Sequence, residues 1–462
     1  VEEIMTMLTR RARLLGVGLI SLVLATAVPA RAQTPAPAAP PPGRPITLAE
    51  ALTLAAQNNL ALRAAAYETQ IARSQLAQAE AFRRGLVTGN AQYTRVNDRP
   101  PTAITVPNPP GPPLSVTLPP PDPNSWSLGV AYQLPLYTGG RGDAQIVLAK
   151  ANLRGAEATL ERIKQQLVLD VRQAYYGLLL AQAGIGVSQR AVASAEENLR
   201  VARARVQAGA SPRFDEVQAE VSLASARQGL VRARASEALA AQALDALVAL
   251  PLDTVLQPRE TMAIVALRGD LPALIRRALE SRPELAEQLA RIEAAQAAVE
   301  IARAGTRPLI VLNAGPTFGT SAGTFTGGST AGLSWSVTLS GTITLWDGNL
   351  TAERIREAQL RVEQLKASEA QLRQGIELDV RRAVINYTAA VEEVAVAEKG
   401  VEQGQEQLRI ANVRFQAGVS TNLEVVTAQA ALSQAELSRV QALYNVNVAR
   451  AQLERAVGAT VE

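Results

Sequence analysis

The chain has 462 residues, of which 19% are charged and only 3% aromatic, with no cysteine and no histidine. Those two absences remove disulfides, a lipid-modified cysteine and most nucleophile–base and metal-binding constellations. The formal charge of +4 falls to about +2 once residues 1–32 (Arg10, Arg11, Arg13 and Arg31 against Glu2 and Glu3) are set aside, and no Lys/Arg block alternates with aromatics, so nucleic acid is not a partner.

In chain order, Arg10, Arg11 and Arg13, the apolar run Leu14 to Val28, and Ala30-Arg31-Ala32 have the three parts of an export signal over residues 1–32. A Pro-rich linker covers 33–46. A helical pattern runs from about Thr47 to Arg84, then a strand over about 85–96. Asn97 to Asn124 is rich in proline and reads as a surface loop. A second strand over about 125–137 ends at Thr138-Gly139-Gly140. A very long helix then reaches about Ala208, turns at Gly209 to Pro212, and returns to about Leu250. An inter-repeat linker covers 251–269. The second repeat, 270–458, runs through a helix to Ala304, strands over about 308–318 and 334–346, a helix to Ala417, a turn at Gly418 to Ser420, and a helix to Val457. No further segment has about 18 consecutive apolar residues, so an exported membrane protein of this sequence must span as a β-barrel.

The two halves are copies. An offset of 209 residues carries the run from Leu136 to Leu223 onto Leu345 to Leu432 without a gap, and Arg205-Val206-Gln207-Ala208-Gly209 onto Arg414-Phe415-Gln416-Ala417-Gly418. Upstream the offset is 223, carrying Ala55, Leu62 and Arg84 onto Ala278, Leu285 and Arg307. The first repeat is therefore 47–250. Ile146, Leu153, Leu160 and Leu167 recur every seven residues, which predicts coiled-coil packing of long helices.

The strands alternate. Trp126, Leu128 and Val130 oppose Ser127, Gly129 and Ala131, and Trp335, Val337 and Leu339 oppose Ser334, Ser336 and Thr338. An aliphatic face against an uncharged Ser/Thr face fits a barrel wall with lipid outside and water inside. Tyr137 and Trp346 have the wrong parity for the lipid face, which puts them past the strand ends. Four strands cannot enclose a channel, so copies must assemble. The alternative is a periplasmic coiled-coil adaptor or structural interaction protein; two Trp-bearing strands, each leading through a turn into a long helix, favour the duct.

The duplicated plan, the junction Leu134-Pro135-Leu136-Tyr137-Thr138-Gly139-Gly140, the run Leu250-Pro251-Leu252-Asp253-Thr254 and the tips Arg205/Gly209 and Arg414/Gly418 together resemble the TolC-like outer-membrane factor family. The resemblance covers about Thr47 to Gly458 and implies a mainly α fold with a membrane β-barrel. It implies a homotrimer whose twelve-stranded barrel lies in outer-membrane lipid and continues as a helical barrel across the periplasm. It also implies a passive exit duct, joined through a periplasmic adaptor (a membrane fusion protein) to an inner-membrane transporter of RND, ABC or MFS type. Thr427 departs from the family's best-known member, which has a second acid there.

At the tips, glycine closes one helix and Ser211-Pro212 reads as N-cap then first helical residue, with Asp215 and Glu424 in the following first turns. Capping alone accounts for these residues. The functional expectation is that Asp215 and Glu424 ring the periplasmic mouth, Arg205 and Arg414 tether it, and Gly209, Ser211, Gly418 and Ser420 dock the adaptor. Asp170 and Asp379 read as solvated helix residues. No catalytic residue, cofactor or metal ligand is expected, and no nucleotide-binding glycine loop occurs.

Overall fold

The structure is a computed structural model that describes residues 44–97, 101–118, 122–251, 256–264, 270–322 and 329–459. The export signal at 1–32 and residues 33–43 of the linker lie outside the described residues.

The first repeat begins with a short strand, β1 (Arg44–Ile46), and two helices, α1 (Leu48–Asn58) and α2 (Leu60–Ala81). Strand β2 (Leu86–Arg95), a hairpin of β3 (Thr102–Val106) and β4 (Leu114–Leu118), and strand β5 (Asn124–Tyr137) follow. The long helix α3 (Arg141–Gln207) and its return α4 (Arg213–Val248) complete the repeat. After β6 (Leu256–Pro258), the second repeat runs α5 (Leu271–Ser281), α6 (Pro283–Arg303), β7 (Leu309–Ala322), β8 (Ser329–Thr342), α7 (Leu350–Gln416) and α8 (Asn422–Val457). The long helices have 67 residues each and their returns 36 each. At 1.5 Å per residue the long ones extend about 100 Å.

Four expectations need correction. The helix predicted from Thr47 breaks at Asn59, which is extended (φ −61°, ψ 123°) and accepts the Leu62 N–H at 3.1 Å. Its counterpart breaks at Arg282, because proline at 283 bars the preceding residue from helical geometry. The linkers carry strands: β1 pairs in parallel with β6, and Ile46 is 1% exposed. The Pro-rich loop contains the antiparallel pair β3–β4, whose ten residues include no proline. Finally, β8 stops at Thr342, so Trp346 lies past its end, whereas Tyr137 is the last residue of β5.

The main sheet has the order β2-β5-β7-β8, all antiparallel. Its register carries the duplication: β2 pairs Leu86 with Gln133, and the two offsets turn that pair into Leu309 and Thr342, which are also paired.

The apolar cores repeat as well. Ala55, Leu62, Val171, Leu244 and Val248 pack together in the first repeat, and Ala278, Leu285, Val380, Leu453 and Val457 in the second. Each buried Leu or Val side chain here contributes about 1.5–3 kcal/mol. Tyr175 is fully buried and donates its hydroxyl to the Ile46 carbonyl at 3.2 Å; burial raises its pKa. Below these cores the hairpins narrow to thin seams, Ala195, Leu199, Ala202, Ala219 and Leu223 in one and Ala411, Phe415, Val425 and Ala428 in the other.

Candidate functional site

The two hairpin tips end alike. Gly209 (φ +69°) and Gly418 (φ +75°) take the left-handed conformation. The Gly209 N–H donates to Val206 and the Ala210 N–H to Arg205, while Gly418 donates to Phe415 and Val419 to Arg414. This double bond pattern satisfies carbonyls that a helix end otherwise orphans.

Beyond the turns the copies diverge. Arg205 reaches across to the other repeat: its Nη1 donates to the Phe415 carbonyl at 2.6 Å and the Gln416 carbonyl at 3.2 Å, and its guanidinium lies 4.9 Å from the Phe415 ring centroid. Those carbonyls end α7, where the helix dipole favours a cation. The Arg205 Nε donates to Ser211 Oγ at 3.2 Å. Ser211 is not the N-cap: Pro212 holds that position, and its ring has no acceptor with which to cap the helix. Arg414 stays within its own hairpin, 3.7 Å from Glu424, and both side chains are half exposed.

The acids expected to ring a mouth also differ. Glu424 is exposed, but Asp215 is 7% exposed beside the fully buried Asn422, whose Nδ2 donates to the Asp215 backbone carbonyl at 3.0 Å. Sequence reasoning missed Phe415 and Asn422. The available signal was divergence between the copies: the offset of 209 places them on Val206 and Arg213. Above the tips, Gln429 on α8 donates to Ser194 Oγ at 2.8 Å, tying the hairpins across an open cleft of about 600 Å³ lined by Ser194, Gln218, Val221, Ser222, Gln429 and Ser433.

At the other end the strand wall is two-faced. Registered pairs place Tyr93 with Trp126, Ala91 with Leu128, Pro316 with Trp335, Ala314 with Val337 and Leu312 with Leu339. The alternate pairs are Gln92 with Ser127, Asn90 with Gly129, Thr317 with Ser334 and Asn313 with Thr338. Trp126 meets Phe318 edge-on at 5.4 Å. Trp335, Val337 and Leu339 are 76%, 61% and 65% exposed in the single chain, a cost in water that lipid removes. A transmembrane strand needs about 9–11 residues; β2 has 10, and β5, β7 and β8 have 14 each. Among the described residues no helix is long and apolar enough to cross a membrane.

Between tips and wall, an ion belt joins the repeats. Arg282, buried, sits 3.1 Å from Asp379 and 3.4 Å from Glu284. Arg455 is 3.1 Å from Glu284, and Glu454 pairs with both Arg172 and Arg450. Asp379 thus serves a structural pair, while Asp170 accepts from Gln166 at 2.8 Å. Among the described residues no group of three His, Cys, Asp or Glu side chains could hold a metal ion.

Long helical hairpins carrying a two-faced strand wall with open edges are the build of a membrane-channel subunit. The model of the outer membrane efflux protein family matches residues 51–250 and 274–459, and the chain belongs to that family, one of outer-membrane channels rather than enzymes. Among curated proteins it is similar to the cobalt-zinc-cadmium resistance protein CzcC of Cupriavidus metallidurans, 25% identical over 417 residues and 90% of each chain. It is also similar to the outer membrane protein OprJ of Pseudomonas aeruginosa, 26% identical over 353 residues, 72% of this chain and 70% of that one. Among solved structures, the outer membrane protein VceC of Vibrio cholerae superposes with a TM-score of 0.71 at 21% identity, covering 90% of this chain and 97% of that one.

Proposed function

We propose that three copies of this chain form a passive exit duct, their strand walls closing a barrel in the outer membrane and their helical hairpins enclosing a periplasmic tunnel. The observation that carries this reading is the four-stranded wall with one lipid-compatible face, one polar face and, among the described residues, two unpaired edges. The duct serves an inner-membrane transporter of the RND, ABC or MFS class through a periplasmic adaptor. The tips around Gly209, Ser211, Gly418 and Ser420 dock that adaptor, and the Gln429–Ser194 cleft above them accepts a helical hairpin laid along it. Arg205 holds the two tips of one chain together in the resting state, and Glu424 gives the mouth its cation preference. The residue ranges 47–250 and 270–458 are two arms of one protomer, with 251–269 as their connection.

The test is the mass of the protein extracted in mild detergent from separated outer membranes. A trimer confined to that fraction is expected. A monomer in the periplasmic fraction sinks the duct and leaves a soluble coiled-coil protein.

A further inference from the structure

The internal duplication predicts how copies meet, because the contact between repeats within one chain is the template for the contact between chains. This inference rests on the trimeric reading above. Strands β2 and β8 are the sheet edges, and the backbone groups of an edge must find partners inside a bilayer. Within the chain, β5 of the first repeat pairs with β7 of the second, placing Gln133 opposite Asn313 and Tyr132 opposite Ala314. The two offsets carry β5 onto β8 and β7 onto β2, and the hairpin registers already obey them. Applied to the edges, they set Thr342 of one copy opposite Asn90 of the next, Gly341 opposite Ala91, and Leu339 opposite Tyr93. Thr342 and Asn90 both belong to the polar face, and Leu339 and Tyr93 both to the apolar one. A one-residue slip would set each face against its opposite.

The strand-to-helix junctions give a second, independent sign. In the first repeat, Gly139 (φ +65°) and Gly140 (φ +89°) form a left-handed pair filled from the second repeat: Arg307 Nη1 donates to the Gly139 carbonyl at 3.0 Å. Their counterparts, Gly348 (φ +64°) and Asn349 (φ +75°), form the same pair, yet among the described residues nothing lies within 4 Å of a side chain built at Gly348. An open cleft of about 600 Å³ stands there, lined by Thr344, Trp346, Asp347, Gly348 and Asn349. Leu345 and Trp346 beside it are 90% and 87% exposed. The counterpart of Arg307 is Arg84, which is exposed and has no ion pair among the described residues. We propose that Arg84 of the next copy enters this cleft and donates to the Gly348 carbonyl, while β8 and β2 zip together with Thr342 opposite Asn90. The next copy completes a socket that one chain leaves open.

The native chain has no cysteine, so paired substitutions report the register directly. Asn90→Cys with Thr342→Cys is expected to give a covalent trimer on a denaturing gel after mild oxidation. Thr88→Cys or Gln92→Cys combined with Thr342→Cys, two residues off register, are expected to give far less. Light scattering of the same samples in detergent separates the two ideas: a monomer sinks the trimer itself. A trimer that cross-links off register, or at none of the three pairs, sinks only the register. Arg84→Gln is expected to lower the temperature at which the trimer dissociates; an unchanged dissociation temperature overturns the socket.

Discussion

Removing the Arg205 side chain isolates the contact that distinguishes the two tips. Arg205 gives one guanidinium nitrogen to two helix-end carbonyls, at 2.6 and 3.2 Å, and lies 4.9 Å from the Phe415 ring centroid. Charge-assisted bonds to helix-end carbonyls, discounted for partial exposure, and a cation–π contact together contribute about 2 kcal/mol. If the mouth opens by parting the two tips of a chain, Arg205→Ala should raise the open fraction about 30-fold per chain, at tenfold for every 1.4 kcal/mol. Arg414→Ala is the matched control. Its partner Glu424 is 3.7 Å away and both side chains are about half exposed. Such a pair contributes less than about 1 kcal/mol, or about fivefold. Single-channel recording in planar bilayers measures both, with the trimer's mass checked beforehand. Equal effects from the two substitutions, or none from Arg205→Ala, would refute the tether.

Three further outcomes follow from the same geometry. Gly209→Val and Gly418→Val force a branched residue to positive φ at about 1–2 kcal/mol each; trimers should persist while adaptor pull-down and export fail, and unchanged export would remove the tips as the docking surface. Glu424→Gln should abolish most of the duct's cation preference, read as the reversal potential in a salt gradient. Asp215→Ala, at a buried position, should instead lower thermal stability; a larger selectivity loss from Asp215→Ala would reverse that assignment. Asp347 accepts from the Thr351 hydroxyl at 2.5 Å and its N–H at 2.9 Å, bonds that favour the carboxylate and lower its pKa. Its contribution is complete above the unfolded pKa of about 4 and is lost as pH falls through the lower folded value. The melting-temperature gap between wild type and Asp347→Ala should therefore be present at pH 7 and close in acid; a gap independent of pH would show that the lost charge is irrelevant.

Periodic features were legible in the sequence because burial imposes them. The heptad line through Ile146 and Leu167 marks the buried seam, and the alternation from Trp126 to Val130 marks the two faces of β5. Features fixed by a single contact were not legible. Ser211 followed by proline has the form of an N-cap, but Pro212 holds that position and the Ser211 hydroxyl accepts from Arg205, six residues earlier. The β3–β4 hairpin was hidden because its prolines fall in the flanks and turn, leaving only five residues per strand.

The divergence between the copies is where chemistry entered a duplicated scaffold. The offset of 223 sets Arg282 on Asn59, two residues that break the helix at the same place. Asn59 does so with a neutral amide, which donates to the Leu247 carbonyl at 3.2 Å. Arg282 brings a buried charge, and the second repeat has acquired its answer: Asp379 and Glu284 hold it, and Arg455 in turn holds Glu284. Asp170, the counterpart of Asp379, accepts instead from the neutral amide of Gln166 in the first repeat. The tips follow the same logic, since Arg205 and Arg414 are equivalent in sequence, but Arg205 faces an aromatic side chain on the other hairpin and Arg414 an acid on its own. Three identical chains therefore present six hairpin tips in two chemical kinds. A mouth built from them has alternating weak and strong seams, and it should open first at the seams that Arg205 does not hold.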